Sequence, residues 1–201
     1  MAIRKIARMG NPVLNWVAAK VADPCDPEIA RLAGDMKETL VDIGGSGLAA
    51  PQVFESVRVV VYRLSPRLFE GVEETADPWV VMVNPVVTAV TDEVESGWER
   101  CLSIPGLHGK VPRHQRVRVT YQTLSGEDVS NDGEGVYAVL LQHECDHLDG
   151  VLYPMRMTDL STLEFNAEPG RLASDVANGE AVWPSMRQLV DDWPGHDQWI
   201  G

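Results

Sequence analysis

Between Ile29 and Ile43 the apolar residues Ile29, Leu32, Ala33, Met36, Leu40 and Ile43 recur at three- and four-residue spacings, so one face of an amphipathic helix is predicted. Asp26-Pro27-Glu28 supplies its start, with Asp26 as N-cap and Pro27 at the first helical position, and Gly44-Gly45 supplies its end. The period then changes. Val57 to Arg63 and Trp79 to Val87 are rich in β-branched residues between turn signals, the second running past Asn84-Pro85, and both are predicted strands. Arg116 to Tyr121 alternates polar and apolar side chains, and a turn over Leu124 to Glu127 leads into a short strand near Val129. Helical spacing returns with Val136, Val139, Leu140, His143 and His147, placing the two histidines on the buried stripe. Asp132 to Gly135 would be the turn and acidic start of this helix, and Asp149-Gly150 its stop before a strand at Val151 to Tyr153. Ile3 to Leu14 reads as an extended arm over the body or, equally, as a loose terminus, and Ser65 to Pro78 as an exposed loop. The pattern describes antiparallel strands around one long helix.

A chain of 201 residues, 44% hydrophobic, can bury one sizeable core, so one domain and a tail are expected. The formal charge of −13 argues against a general binder of nucleic acid or anionic membrane, both of which need a basic face. Three cysteines, no apolar leader, no transit peptide and no apolar stretch of membrane-spanning length predict a reduced, cytoplasmic protein with no membrane partner. From Ser161 onward seven acids stand against two arginines, so this tail is not a basic element for docking on ribosomal RNA. Its Trp183, Trp193 and Trp199 are expected to pack on the chain's own domain or against a second copy in a homodimer.

The most specific chemistry lies in Gln142-His143-Glu144-Cys145-Asp146-His147-Leu148. A helix turns about 100° per residue, so histidines four apart leave the same side and form a pair of metal ligands. Glu144 is displaced to one side of that pair, where it can reach a metal-bound water as general base. A core histidine satisfied by hydrogen bonds would explain either one alone, but a pair flanking a glutamate reads as a metal site. A third ligand is then needed. Cys101, within Gly97 to Gly106, is the cysteine of choice, because thiolate suits zinc or ferrous iron; its alternative is a small buried hydrophobe. Cys145 is about 200° round the helix from His143, and Cys25 precedes the first helix. Gly45 to Gln52 carries small side chains almost throughout, which serves either a tight connection or the close approach of a ligand to the backbone.

Taken in order, Gly-Ser-Gly-Leu-Ala-Ala-Pro-Gln at 45–52, Glu-Arg-Cys-Leu-Ser at 99–103 and Gln-His-Glu-Cys-Asp-His-Leu at 142–148 resemble the three signature motifs of the peptide deformylase family. The resemblance runs from Gly-Asn-Pro-Val-Leu in the arm through Val111-Pro112-Arg113 to about Met157. It implies an α+β fold of antiparallel β-sheets packed around a central helix carrying H-E-x-x-H, a catalytic domain over 1–160, and an extension over 161–201. It also implies removal of the N-formyl group, as formate, from the N-terminal methionine of nascent chains at the ribosome. Cys101, His143 and His147 would bind one Fe2+ per chain, with Zn2+, Ni2+ or Co2+ as substitutes. Glu144 would deprotonate the bound water and pass the proton to the leaving amine. The Gln52 amide and Leu102 backbone N–H would stabilise the oxyanion, and the backbone at Gly45 and Gly47 would bind the peptide as an added strand. The family has glycine where this chain has Arg100, so peptide affinity or the preferred second residue is expected to change. A metalloprotease is the rival in chemistry, but it would want a third His or Glu ligand downstream, where His196 in the tail is the only histidine. An inactive pocket for peptide ends is the rival in class.

Overall fold

A computed structural model describes residues 2–64, 77–168 and 170–180. The first helix, α1 (Pro27–Ile43), begins where the Asp26 side chain accepts from the Glu28 N–H and ends at Gly44, whose φ of 78° only glycine adopts without strain. Its Leu32, Ala33, Met36 and Leu40 pack against Leu48, Val59, Val61 and Val83, so the predicted stripe is the buried one.

Five strands form one antiparallel sheet in the order β1-β2-β3-β6-β7: β1 (Gly47–Ala49), β2 (Val59–Arg63), β3 (Trp79–Ala89), β6 (Arg116–Gln122) and β7 (Asp128–Glu134). In β3 the register shifts between Val83 and Val86, where Pro85 has no N–H to donate and Asn84 has a φ of 54°. The Asn84 amide accepts from the Val21 N–H and donates to the Val21 carbonyl. A second antiparallel sheet, β4-β5-β8, joins β4 (Val94–Cys101), β5 (Ile104–His114) and β8 (Glu164–Phe165). The helix α2 (Gly135–Leu148), which carries the H-E-x-x-H motif, touches strands of both sheets. The class is therefore α+β with antiparallel sheets.

Four details differ from the sequence reading. The β4–β5 hairpin was not foreseen as strands. Asp132, Gly133 and Glu134 are not a turn but the end of β7, paired with Arg118, Val117 and Arg116, and α2 starts directly at Gly135. The buried apolar stripe of α2 is Ala138, Leu141, Cys145 and Leu148, whereas Val136 is 62% exposed. Val151 to Tyr153 is not a strand, because Pro154 sets a 3-10 turn over Tyr153–Met155. The loop expected over 65–78 falls, for 65–76, outside the described residues, as do Trp183, Trp193 and Trp199.

The N-terminal arm ties these parts to the site. Arg4 N–H donates to Thr39 on α1, Ala7 N–H to the Gln52 carbonyl and Met9 N–H to the Ser103 carbonyl. No helix among the described residues is long and apolar enough to cross a membrane.

Candidate active site

The helical spacing of α2 carries His143 and His147 to the same side, with ring centroids 5.1 Å apart. The β4–β5 hairpin turns at Leu102-Ser103, which brings Cys101 at the end of β4 against that pair. Cys101 Sγ lies 3.2 Å from His147 Nε2, and the donor atoms of Cys101, His143 and His147 all lie within 4.8 Å of one another. Among the described residues this is the one group of three such side chains able to hold a metal ion.

The donor set fits a borderline-soft divalent cation, one thiolate and two imidazoles. Glu99 is two residues before Cys101 on the same strand face, and its carboxylate stands 2.7 Å from His143 Nδ1, so a cation that displaced the proton from Nε2 would leave Nδ1–H donating to Glu99. Burial, together with the neighbouring His143 and Arg113 charges, holds His147 well below its ordinary pKa and keeps it neutral, the form that ligates.

Sequence reasoning missed the supports behind these ligands. Arg113 on β5 grips Glu99 with two bonds of 2.6 and 3.0 Å and reaches Asp146 at 2.6 Å, and Asp146 accepts in turn from Arg156 at 2.8 Å. Burial alone would raise the Glu99 carboxyl, but the bonds from His143 and Arg113 outweigh it and hold the pKa below the ordinary value. The signal was present in Val111-Pro112-Arg113 and in the aspartate of H-E-C-D-H, yet neither announces its partner.

Glu144 is buried, and its Oε2 has no hydrogen-bond partner among the described residues. Burial pushes its pKa up to about 7, with His143 pulling down and Glu99 pushing up. A cation held by the three ligands would draw it down again. Gln52 is buried in the 3-10 turn after β1, where its Oε1 accepts from Ala49 N–H at 2.8 Å. That bond fixes the amide, so Nε2 points to Ser103 Oγ at 3.3 Å and Cys101 Sγ at 3.5 Å. Cys101, His143, His147, Glu144 and Gln52 are thus brought together, and Leu102 follows the thiolate directly. Gly47 lies against Glu144, while a side chain at Gly45 would meet Leu40 and Leu102. Arg100 pairs with His108 on β5, and strand alternation sets it on the face away from Cys101.

A polypeptide deformylase family model matches residues 3–162. The chain belongs to the polypeptide deformylase family. Among its relatives, peptide deformylase 1 of Nitrosomonas europaea is 40% identical over 177 residues, covering 86% of this chain and 99% of that protein. Peptide deformylase 1 of Bordetella pertussis is 42% identical, covering 79% and 90%. The Thermotoga maritima peptide deformylase structure matches with a TM-score of 0.70 and 34% identity, over 79% of this chain and all of that one. The class I type b peptide deformylase of Acinetobacter baumannii with Met-Ala-Ser bound matches with a TM-score of 0.69 and 35% identity, over 78% and 100%. Deformylases are metal-dependent hydrolases, and the Cys101, His143, His147 cluster is this chain's candidate for that metal.

Proposed function

We propose that this deformylase removes the N-formyl group from the N-terminal methionine of newly synthesised polypeptides, working in the cytoplasm on nascent chains at the ribosome, with Cys101, His143 and His147 holding one ferrous ion. Zn2+, Ni2+ or Co2+ would substitute. The observation that carries the reading is the convergence of those three donors beside the buried Glu144 carboxylate and the oriented Gln52 amide. The family and the peptide-bound relative support the substrate class.

Held by Cys101, His143 and His147, the metal would supply a Lewis acid and, from water, a nucleophile at neutral pH. Glu144 takes the proton of the water that adds to the formyl carbon, and gives it to the amine nitrogen as the C–N bond breaks. Formate and a free N-terminus result. Charge grows on the former carbonyl oxygen, toward which the Gln52 amide and the Leu102 N–H donate. The backbone at Gly45 and Gly47, where β1 is the edge strand of its sheet, takes the peptide as an added strand. Arg100 stands where the family has glycine, so peptide affinity or the preference for the residue after methionine is expected to change. The acidic extension over 161–201 follows the catalytic domain, and Trp183, Trp193 and Trp199 would pack on that domain or on a second copy in a homodimer.

The test is formate release from formyl-Met-Ala-Ser by protein purified without oxygen, with metal content assayed, beside Glu144→Ala. Release by the parent alone supports both the reaction and the base. A parent that holds one metal per chain and releases nothing would make the site a pocket for peptide ends.

A further inference from the structure

Cys101 ends β4, and the side of that strand turned away from His143 is covered by chain beyond the residues matched to the family. Glu99 and Cys101 face α2. Trp98 and Arg100 take the other face, opposite Lys110 and His108 of β5. β8 extends the sheet at the β5 edge, opposite Leu107 and His108, and the short helix α3 (Gly170–Ala177) meets Trp98 and Lys110 on this face.

Several of their contacts run to the hairpin that carries the thiolate. Oδ2 of Asp175 accepts from Trp98 Nε1 and from Lys110 Nζ, each at 2.9 Å, so one carboxylate oxygen fastens α3 to both strands. Those two bonds hold the Asp175 carboxyl below its ordinary pKa. Leu172, one turn earlier, is 1% exposed. Glu164 in β8 accepts from the Arg171 N–H at the start of α3, and its Oε2 stands 3.5 Å from Nε2 of the buried His108. Asn166 Oδ1 meets His108 Nδ1 at 2.9 Å, and the His108 ring stands edge-on to Trp98 at 5.3 Å.

A two-stranded ribbon is marginally stable alone, and a metal ligand must be held to within about half an ångström of its bonding position. The face toward α2 is held by the Glu99–Arg113–Asp146 chain; the outer face needs a partner of its own. We propose that β8 and α3 are a brace that holds Cys101 in its ligand position from behind, with Asp175 as a positioning residue acting through Trp98. This rests on the reading of Cys101 as a metal ligand.

Cobalt-loaded protein tests it, since thiolate-bound Co2+ has absorption bands sensitive to its geometry. Asp175→Ala is expected to release cobalt to excess chelator about tenfold faster than the parent, with shifted cobalt bands and an unchanged KM. Asp175→Asn, which keeps an acceptor for Trp98 Nε1, is expected to recover most of the retention. Asp132→Ala, which removes the exposed ion pair with Arg118 on the other sheet, should behave as the parent. Parent-like cobalt release and spectrum in Asp175→Ala would overturn the brace, as would equal loosening in Asp132→Ala. If Cys101→Ser kept the parent's spectrum and retention, the ligand assignment itself would have failed rather than the brace.

Discussion

A carbon placed on Gly47 as a side chain would lie 2.5 Å from Oε1 of Glu144 and 2.8 Å from its Cδ. The backbone of β1 therefore forms one wall of the slot that holds the carboxylate. The small residue at 47, read from the sequence as room for a peptide, is required by the protein's own candidate base. Both roles fall on the same strand, which places the proposed peptide strand within reach of Glu144.

Gly47→Ala is expected to displace Glu144 and lower kcat by about 100-fold, the usual scale for a misplacement near one ångström. Metal content should stay at the parent's level. Steady-state kinetics beside metal analysis check this; a parent-like kcat would mean that the β1 backbone does not set the carboxylate.

Arg113→Met leaves the buried Glu99 and Asp146 carboxylates without their shared cation. Breaking a buried pair in this way costs about 3–5 kcal/mol. Tm is expected to fall accordingly. Arg113→Lys should recover only part, since an ammonium cannot make the two-pronged bond to Glu99.

Acid should loosen the N-terminal arm from α1 through Asp35. Burial would raise this carboxyl, but the Ala2 N–H and the Arg4 guanidinium together bring its pKa below the ordinary 3.8. A depressed folded-state pKa means the stabilisation is complete above 3.8 and is lost as pH falls from there through the folded value. Chemical denaturation across that window should show the loss in the parent, and Asp35→Asn should show a weaker dependence.

Stripping the metal with a chelator should abolish formate release and lower Tm, because an ion bound only by the native site stabilises it. Co2+ or Zn2+ should restore both. An apoprotein with parent activity and parent Tm would remove the metal from the mechanism.

Much of this protein was legible locally. Caps and period defined α1, β-branched runs marked β2 and β3, and the spacing of His143 and His147 placed two ligands on one helix face, because each pattern depends on neighbours a few residues away. The β4–β5 hairpin was illegible for a physical reason. Its inward positions include Glu99 and Arg113, which look solvent-facing until each is seen to neutralise the other in the interior. Without apolar alternation the strand signal vanishes. The buried stripe of α2 was misassigned for a related cause: which face of a helix is covered depends on where the sheets end, and Val136 emerges beyond them.

By itself the sequence determined the identity of the chemistry-bearing groups and the short elements that carry them. Tertiary structure alone decided their convergence. Cys101 and His147 stand 46 residues apart in the chain and 3.2 Å apart in the fold, and no local preference encodes that meeting. It follows from closure of the hairpin onto α2, held from one side by charges that tolerate burial only because they are paired, and, on our proposal, from the other by the acidic extension.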